Sequence, residues 1–181
     1  MALREEIQRL KTYFWGKTEF PSQKQINLPL PPMASGGVTA TTILTYTPAY
    51  VFHNSTADRM DWNIATPTGW AKSGGQRLFV DILYCHTSTG TGNTLWVAEH
   101  RRWLEGSTLP TSLSTSGTVL KASAGVAYQL LIATIEVGLI TDVDGFQFKL
   151  YRNGSDGTDT APDAYLLTVR VYKKASFNDF V

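Results

Sequence analysis

The residues from which chemistry could be built are few in this chain: three histidines, one cysteine and a scatter of carboxylates. His53, His86 and His100 are well separated, and none stands at an HxH, HxxxH or cysteine spacing, so no zinc centre is expected. Cys85 closes a strongly apolar run, where a lone thiol fills space in a core; a nucleophilic thiol would need a base beside it. There is no GxSxG elbow, and the GTGN at 90 to 93 lacks both the glycine pattern and the following helix of a phosphate loop. The strand-borne acids of note, Asp81, Glu99 and Glu136, make no supported acid–base pair for glycoside hydrolysis. The residues therefore point to a protein that is not an enzyme and uses no cofactor and no metal.

Two further groups could bind rather than react. Asp142, Asp144, Asp156, Asp159 and Asp163 fall in two loops that flank residues 145 to 152. Their oxygens suit Ca²⁺, but DVDG lacks EF-hand spacing, and turns held by Asx hydrogen bonds account for NGSDGTD more simply. Arg152 and Arg170, expected on neighbouring strands, stand near Asp156, Asp159 and Asp163 in sequence, so ion pairs are expected to order the long loop at 153 to 163, at a subunit interface if the chain assembles. Among the aromatic residues, Trp62 and Trp70 lie in the turn-rich MDWNIATPTGWAKSGG and are the best candidates for exposed platforms under a sugar ring, with the loop at 87 to 93 beside them. Trp96 and Trp103 are seven residues apart on one expected strand and so face opposite ways, one of them into the core.

These residues sit on a chain of 181 residues with net charge +1 and 17% charged residues, enough for one domain and a short appendage. No run of five like charges occurs, which argues against a nucleic-acid partner. No apolar stretch approaches the ~18 residues of a membrane span, and Arg4, Glu5 and Glu6 near the start do not follow the basic-then-apolar order of a signal peptide. The single cysteine excludes a disulfide within one chain.

Residues 2 to 15 contain no Gly or Pro and set Leu3, Ile7, Leu10 and Phe14 at spacings of four, three and four, an amphipathic helix that ends at Gly16. A helix of about 14 residues is marginal alone in water, so it must dock on its own domain, on copies of itself or in a partner's groove. Pro21, Pro29, Pro31 and Pro32 then hold residues 17 to 37 as an extended arm. From Val38 the pattern turns to short β-branched and aromatic runs divided by turn residues, which predicts an all-β sandwich or barrel over 38 to 181. The expected strands are 38 to 45, 50 to 53, 78 to 85, 94 to 103, 118 to 122, 126 to 137, 145 to 152 and 164 to 173. The strand at 126 to 137 is apolar on both faces and is expected to be buried on both; that at 145 to 152 has one wet face.

The stretch DGFQFKLYRNGSDGTDTAPDAYLLTVRVYK (144 to 173) resembles the C-terminal part of a jelly-roll domain in virion proteins of tailed bacteriophages. The matching positions are Phe146, Phe148, Leu150, Arg152, Asp156, Asp159, Thr160, Asp163, Ala164, Leu166, Leu167, Val169 and Arg170, and residues 78 to 106 fit the family's strand, polar loop and Trp-containing strand. Pro162 departs from the small residue expected there. The resemblance covers about the last 100 residues and implies a jelly-roll β-sandwich, a homotrimer and a non-enzymatic place on the virion. On it, the chain is expected to be a capsid decoration or cement protein, joined to other virion proteins through Leu3, Ile7, Leu10 and Phe14 and the arm. The alternative is a receptor-binding module of a tail or head fibre that recognises host surface glycan through Trp62 and Trp70.

Overall fold

The computed structural model describes residues 25–27, 33–35, 37–65, 76–140 and 144–173. The helix expected at 2 to 15, with Leu3, Ile7, Leu10 and Phe14, lies outside the described residues, as does Trp70.

Every regular element among the described residues is a strand: β1 (Gln25–Asn27), β2 (Met33–Ser35), β3 (Thr39–Ile43), β4 (Thr47–Phe52), β5 (Ala57–Ala65), β6 (Gln76–His86), β7 (Asn93–Trp103), β8 (Ser114–Ala122), β9 (Leu131–Ile140), β10 (Gly145–Asn153) and β11 (Ala164–Lys173). They form two antiparallel sheets, one in the order β3-β4-β11-β6-β9 with β1 also on β11, the other in the order β2-β5-β10-β7-β8. From β4 onward the chain crosses between the sheets at almost every connection, only β7 and β8 being consecutive partners. This is the jelly-roll sandwich that the resemblance implied.

The period-2 alternation of each strand supplies the core. Trp96, Phe52, Phe146, Phe148, Met60, Ile82, Ile135, Leu150 and Leu166 point between the sheets and are almost wholly buried. Phe52, Tyr84 and Trp96 meet edge to face, with centroids 5.1 to 5.2 Å apart.

Three expectations are corrected. The segment read as turns holds β5, in which Asp58, Met60, Trp62 and Ile64 are buried while Ala57, Arg59, Asn63 and Ala65 are exposed. Its alternation is regular; Asp and Asn at four of the positions 54 to 63 disguise it, since these residues are depleted in strands. Strand β9 is buried on one face only: Leu131, Ala133, Ile135 and Val137 face the core, while Ile132 is 41% exposed. Its other row, Ile132, Thr134 and Glu136, faces away from the second sheet and is exposed. The proline-rich arm is also partly built into the sandwich. Residues 25–27 pair with Tyr172–Arg170 of β11, and residues 33–35 with Asp61–Arg59 of β5.

Candidate functional site

The residues singled out in the sequence divide between a loop knot and two sheet faces. Arg152, at the end of β10, is fully buried and donates to both carboxylate oxygens of Asp159, from Nε at 2.9 Å and Nη2 at 2.6 Å. Its remaining N–H groups reach the carbonyls of Phe52 (2.9 Å), Pro162 (2.8 Å) and Ala161 (2.7 Å). Asp159 also accepts from the backbone N–H of Leu95 at 3.0 Å. One guanidinium thus closes the 154 to 163 loop over the end of the sandwich. Asp163 adds a bond from the N–H of Asn54 (2.9 Å), whereas Asp156 only closes its own turn by accepting from the N–H and hydroxyl of Thr158. Those two bonds hold the Asp156 carboxyl below its ordinary range. The loop at 87 to 93, expected beside a sugar, is occupied by this same knot: Gly92 has φ +119° and would place a Cβ 2.6 Å from the Thr160 carbonyl oxygen.

Arg170 does not join that loop. Strands β10 and β11 lie in opposite sheets, and Arg170 donates from Nη2 to Asp81 Oδ2 of β6 at 2.5 Å. Asp81 also accepts from the hydroxyls of Thr134 (2.7 Å) and Tyr172 (3.3 Å), and Tyr172 stacks on Phe79. The Asp81 carboxylate is therefore a satisfied tie across β9, β6 and β11. Trp62 is also displaced from its expected role: it is 4% exposed and packs on Phe148 at 5.8 Å, so it offers no ring face to a sugar.

His53 donates or accepts at Nδ1 to Asp58 Oδ2 (2.7 Å), and the N–H groups of His53 and Gly37 and the hydroxyl of Thr56 complete the Asp58 shell at 2.7 Å each. Burial would raise the Asp58 carboxyl, but these bonds outweigh it and hold it below its ordinary value. His86 and His100 are buried, and desolvation lowers both, keeping the imidazoles neutral. Among the described residues no group of three or more His, Cys, Asp or Glu could hold a metal ion. Burial raises the Cys85 thiol, which lies in a small cluster with Ile43 and Ala49.

The face with unspent binding capacity is the outer surface of the β2-β5-β10-β7-β8 sheet. Antiparallel register sets three rows across β5, β10 and β7: Asn63, Gln147 and Arg101; Asp61, Lys149 and Glu99; Arg59, Tyr151 and Val97. Lys149 pairs with Glu99 and lies over the Tyr151 ring at 5.0 Å. Gln147 donates weakly to Asp61 at 3.5 Å, and Arg101 donates from Nη1 to the Pro110 carbonyl at 2.9 Å. Burial raises the Asp61 carboxyl above its usual range despite the nearby Arg59, Lys149 and Arg101. Asp61 and Glu99 do not form an acid–base pair, because Lys149 stands between them and engages Glu99.

Trp103 closes this face at one end. Its partner across the ladder is Gly145, where an added Cβ would come 3.0 Å from Trp103 Cε3 and 2.8 Å from the Ile64 carbonyl oxygen. Only glycine leaves room for the indole to lie on the sheet there. Asp144 fixes the corner, its N–H bonding the Trp103 carbonyl (3.0 Å) and its carboxylate the N–H of Glu105 (2.8 Å). At this end Arg101 Nε, Trp103 Nε1 and Gln147 Oε1 are shielded from solvent and have no hydrogen-bond partner among the described residues. Native structures leave few such groups unpaired. Trp96 and Trp103 do face opposite ways, Trp96 fully buried and Trp103 partly exposed. Sequence reasoning missed Arg101, Gln147, Lys149 and Tyr151; the signal was the odd-numbered register of β7 and β10, which puts them on Trp103's face.

Two solved structures share the fold. The C-terminal CBM6 of LamC, a marine laminarinase from Zobellia galactanivorans, is 12% identical with a TM-score of 0.55, over 82% of this chain and 99% of that one. The CBM36-1 domain of a multidomain xylanase from the hindgut metagenome of Trinervitermes trinervoides is 12% identical with a TM-score of 0.50, over 83% of this chain and 96% of that one. At this identity the likeness is one of fold. No protein-family model matches the sequence, and no curated protein matches it significantly.

Proposed function

We propose that this protein is a non-catalytic recognition module that binds carbohydrate on the outer face of the β2-β5-β10-β7-β8 sheet. The observation that carries the reading is the partly exposed Trp103 at the end of a grid of amide, guanidinium, ammonium and carboxylate side chains set in register on one face. An indole offers an apolar face to the C–H side of a sugar ring, and planar polar groups match its hydroxyls. This site takes the place of Trp62, which is buried, while Trp70 lies outside the described residues. The reading is in keeping with the fold shared with carbohydrate-binding modules and rests on the face itself. A glycan panel scored by calorimetry tests it: at least one polysaccharide binds saturably, and Trp103→Ala lowers its affinity at least ten-fold with the fold intact. Absence of any saturable glycan, or an unchanged affinity in Trp103→Ala, overturns it.

A second reading concerns where such a module is displayed. The resemblance to phage virion proteins suggests a homotrimer held on the particle by the N-terminal segment, as capsid decoration or at a fibre. It is favoured by the apolar side chains left open before and along edge strand β9: Val126 at 55%, Tyr128 at 45%, Leu130 at 51% and Ile132 at 41% exposure. Exposed apolar side chains are what subunits bury when they assemble. Light scattering on the full chain tests it. A native mass three times the 20.0 kDa chain supports the trimer, and a monomer removes it.

A further inference from the structure

We infer that the ligand on this face is the interior of an extended, linear oligosaccharide running along the strands, not a single sugar or a chain end; this rests on the carbohydrate reading above. Trp103 is paired with Gly145, and Tyr151 stands six residues further along β10 on the same face. At about 3.3 Å of rise per residue the two aromatic side chains are about 20 Å apart, the length of several linked sugar rings. Between them the two intervening rows present Asn63, Gln147 and Arg101, then Asp61, Lys149 and Glu99.

These side chains alternate strictly outward from flat ladder positions, and the β10 ladder runs in unbroken register with β5 and with β7 from Gly145 to Arg152. A bulge in either ladder would kink the platform, and the irregularity nearby lies in β8, where the partners of Ala98 and Glu99 are Gly117 and Thr115 and residue 116 is skipped. The face thus carries an aromatic ring at each end with polar groups between, in one unbroken register. At the Trp103 end, Arg101 is tied to the Pro110 carbonyl of the loop that follows β7.

The charge pattern supports contact along the whole strip. Tyr151 is anchored by Lys149 over its ring and by its hydroxyl's interaction with Glu99; burial, and then Glu99, raise the phenol above its usual range. Its ring is therefore held at a fixed height beside the polar row. Two fixed rings and a rigid strip reward a ligand that reaches both, because the second contact is made without a further loss of translational freedom.

Calorimetry of the full chain with β-1,3- and β-1,4-linked gluco-oligosaccharides, xylo-oligosaccharides and manno-oligosaccharides of one to six sugars tests this. The expected result is an affinity that rises at least ten-fold between the disaccharide and the longest members of a binding series. Tyr151→Ala should remove that gain, so that the longest members bind it no more tightly than the disaccharide does, and Tyr151→Phe, which keeps the ring, should retain it. Affinity independent of length, or a gain that survives Tyr151→Ala, overturns the extended-ligand inference and leaves the carbohydrate reading standing. No binding of any saccharide, in this series or in the polysaccharide panel, removes both.

Discussion

Replacing Arg152 with alanine tests the account of how the loop end is held. The side chain is fully buried and makes five hydrogen bonds, two to the Asp159 carboxylate and three to the carbonyls of Phe52, Ala161 and Pro162. Truncation leaves the buried Asp159 charge with the Leu95 N–H as its recorded donor and strips a donor from three carbonyls. Breaking a buried ion pair by deleting one partner costs about 3–5 kcal/mol, a large part of the ~5–15 kcal/mol that stabilises a whole domain. For a chain of this size each kcal/mol moves the melting temperature by about 2–4 °C, so Arg152→Ala is expected to lower it by roughly 6–20 °C. Urea unfolding followed by tryptophan fluorescence gives the free energy, and calorimetry the melting temperature. Arg152→Lys keeps the charge but cannot fork to both oxygens of Asp159 and three carbonyls, so it should recover only part of the loss. The double variant Arg152→Ala with Asp159→Ala should be less destabilised than the sum of the singles, because it removes the stranded charge as well. A loss below about 1 kcal/mol for Arg152→Ala, or strict additivity in the cycle, would show that the loop is held by something other than this pair.

Two further perturbations read other parts of the molecule. Asp58 has its carboxyl held below its ordinary value of 3.8, so its stabilisation is present above that pH and is lost as pH falls through the lower folded value. The melting temperature of the native chain should therefore drop below pH 3.8 more steeply than that of Asp58→Asn, and parallel acid limbs in the two proteins would contradict the assignment. Trp62→Ala should cost about 3–5 kcal/mol by opening a cavity against Phe148, with glycan affinity unchanged in the folded protein. Lost affinity at unchanged stability would restore Trp62 as a contact residue.

The alternation of apolar side chains in β6, β7, β10 and β11 was legible along the chain because period 2 is a local property of a pleated strand. It specified an all-β sandwich and set Trp96 and Trp103 on opposite faces before any pairing was known. The importance of Arg152 was legible too, as a lone arginine closing an apolar strand before an aspartate-rich loop. Its particular partner was not: Asp156, Asp159 and Asp163 are alike in sequence, and only the closed loop brings Asp159 to the guanidinium fork. Arg170 shows the limit most clearly, since its partner Asp81 lies 89 residues away and becomes a neighbour only when β11 inserts beside β6. Trp62 was misjudged because exposure was read from polar neighbours, whereas in a strand every second residue is buried whatever lies between. The candidate site has the same origin: Trp103, Arg101, Gln147 and Tyr151 come from β7 and β10, strands more than 40 residues apart, and share a face through register alone. Composition and periodicity decide which side chains a strand can turn outward; which of them meet is decided by the order of strands in the sheet, because that order is set by burial of the whole core and not by any local run of sequence.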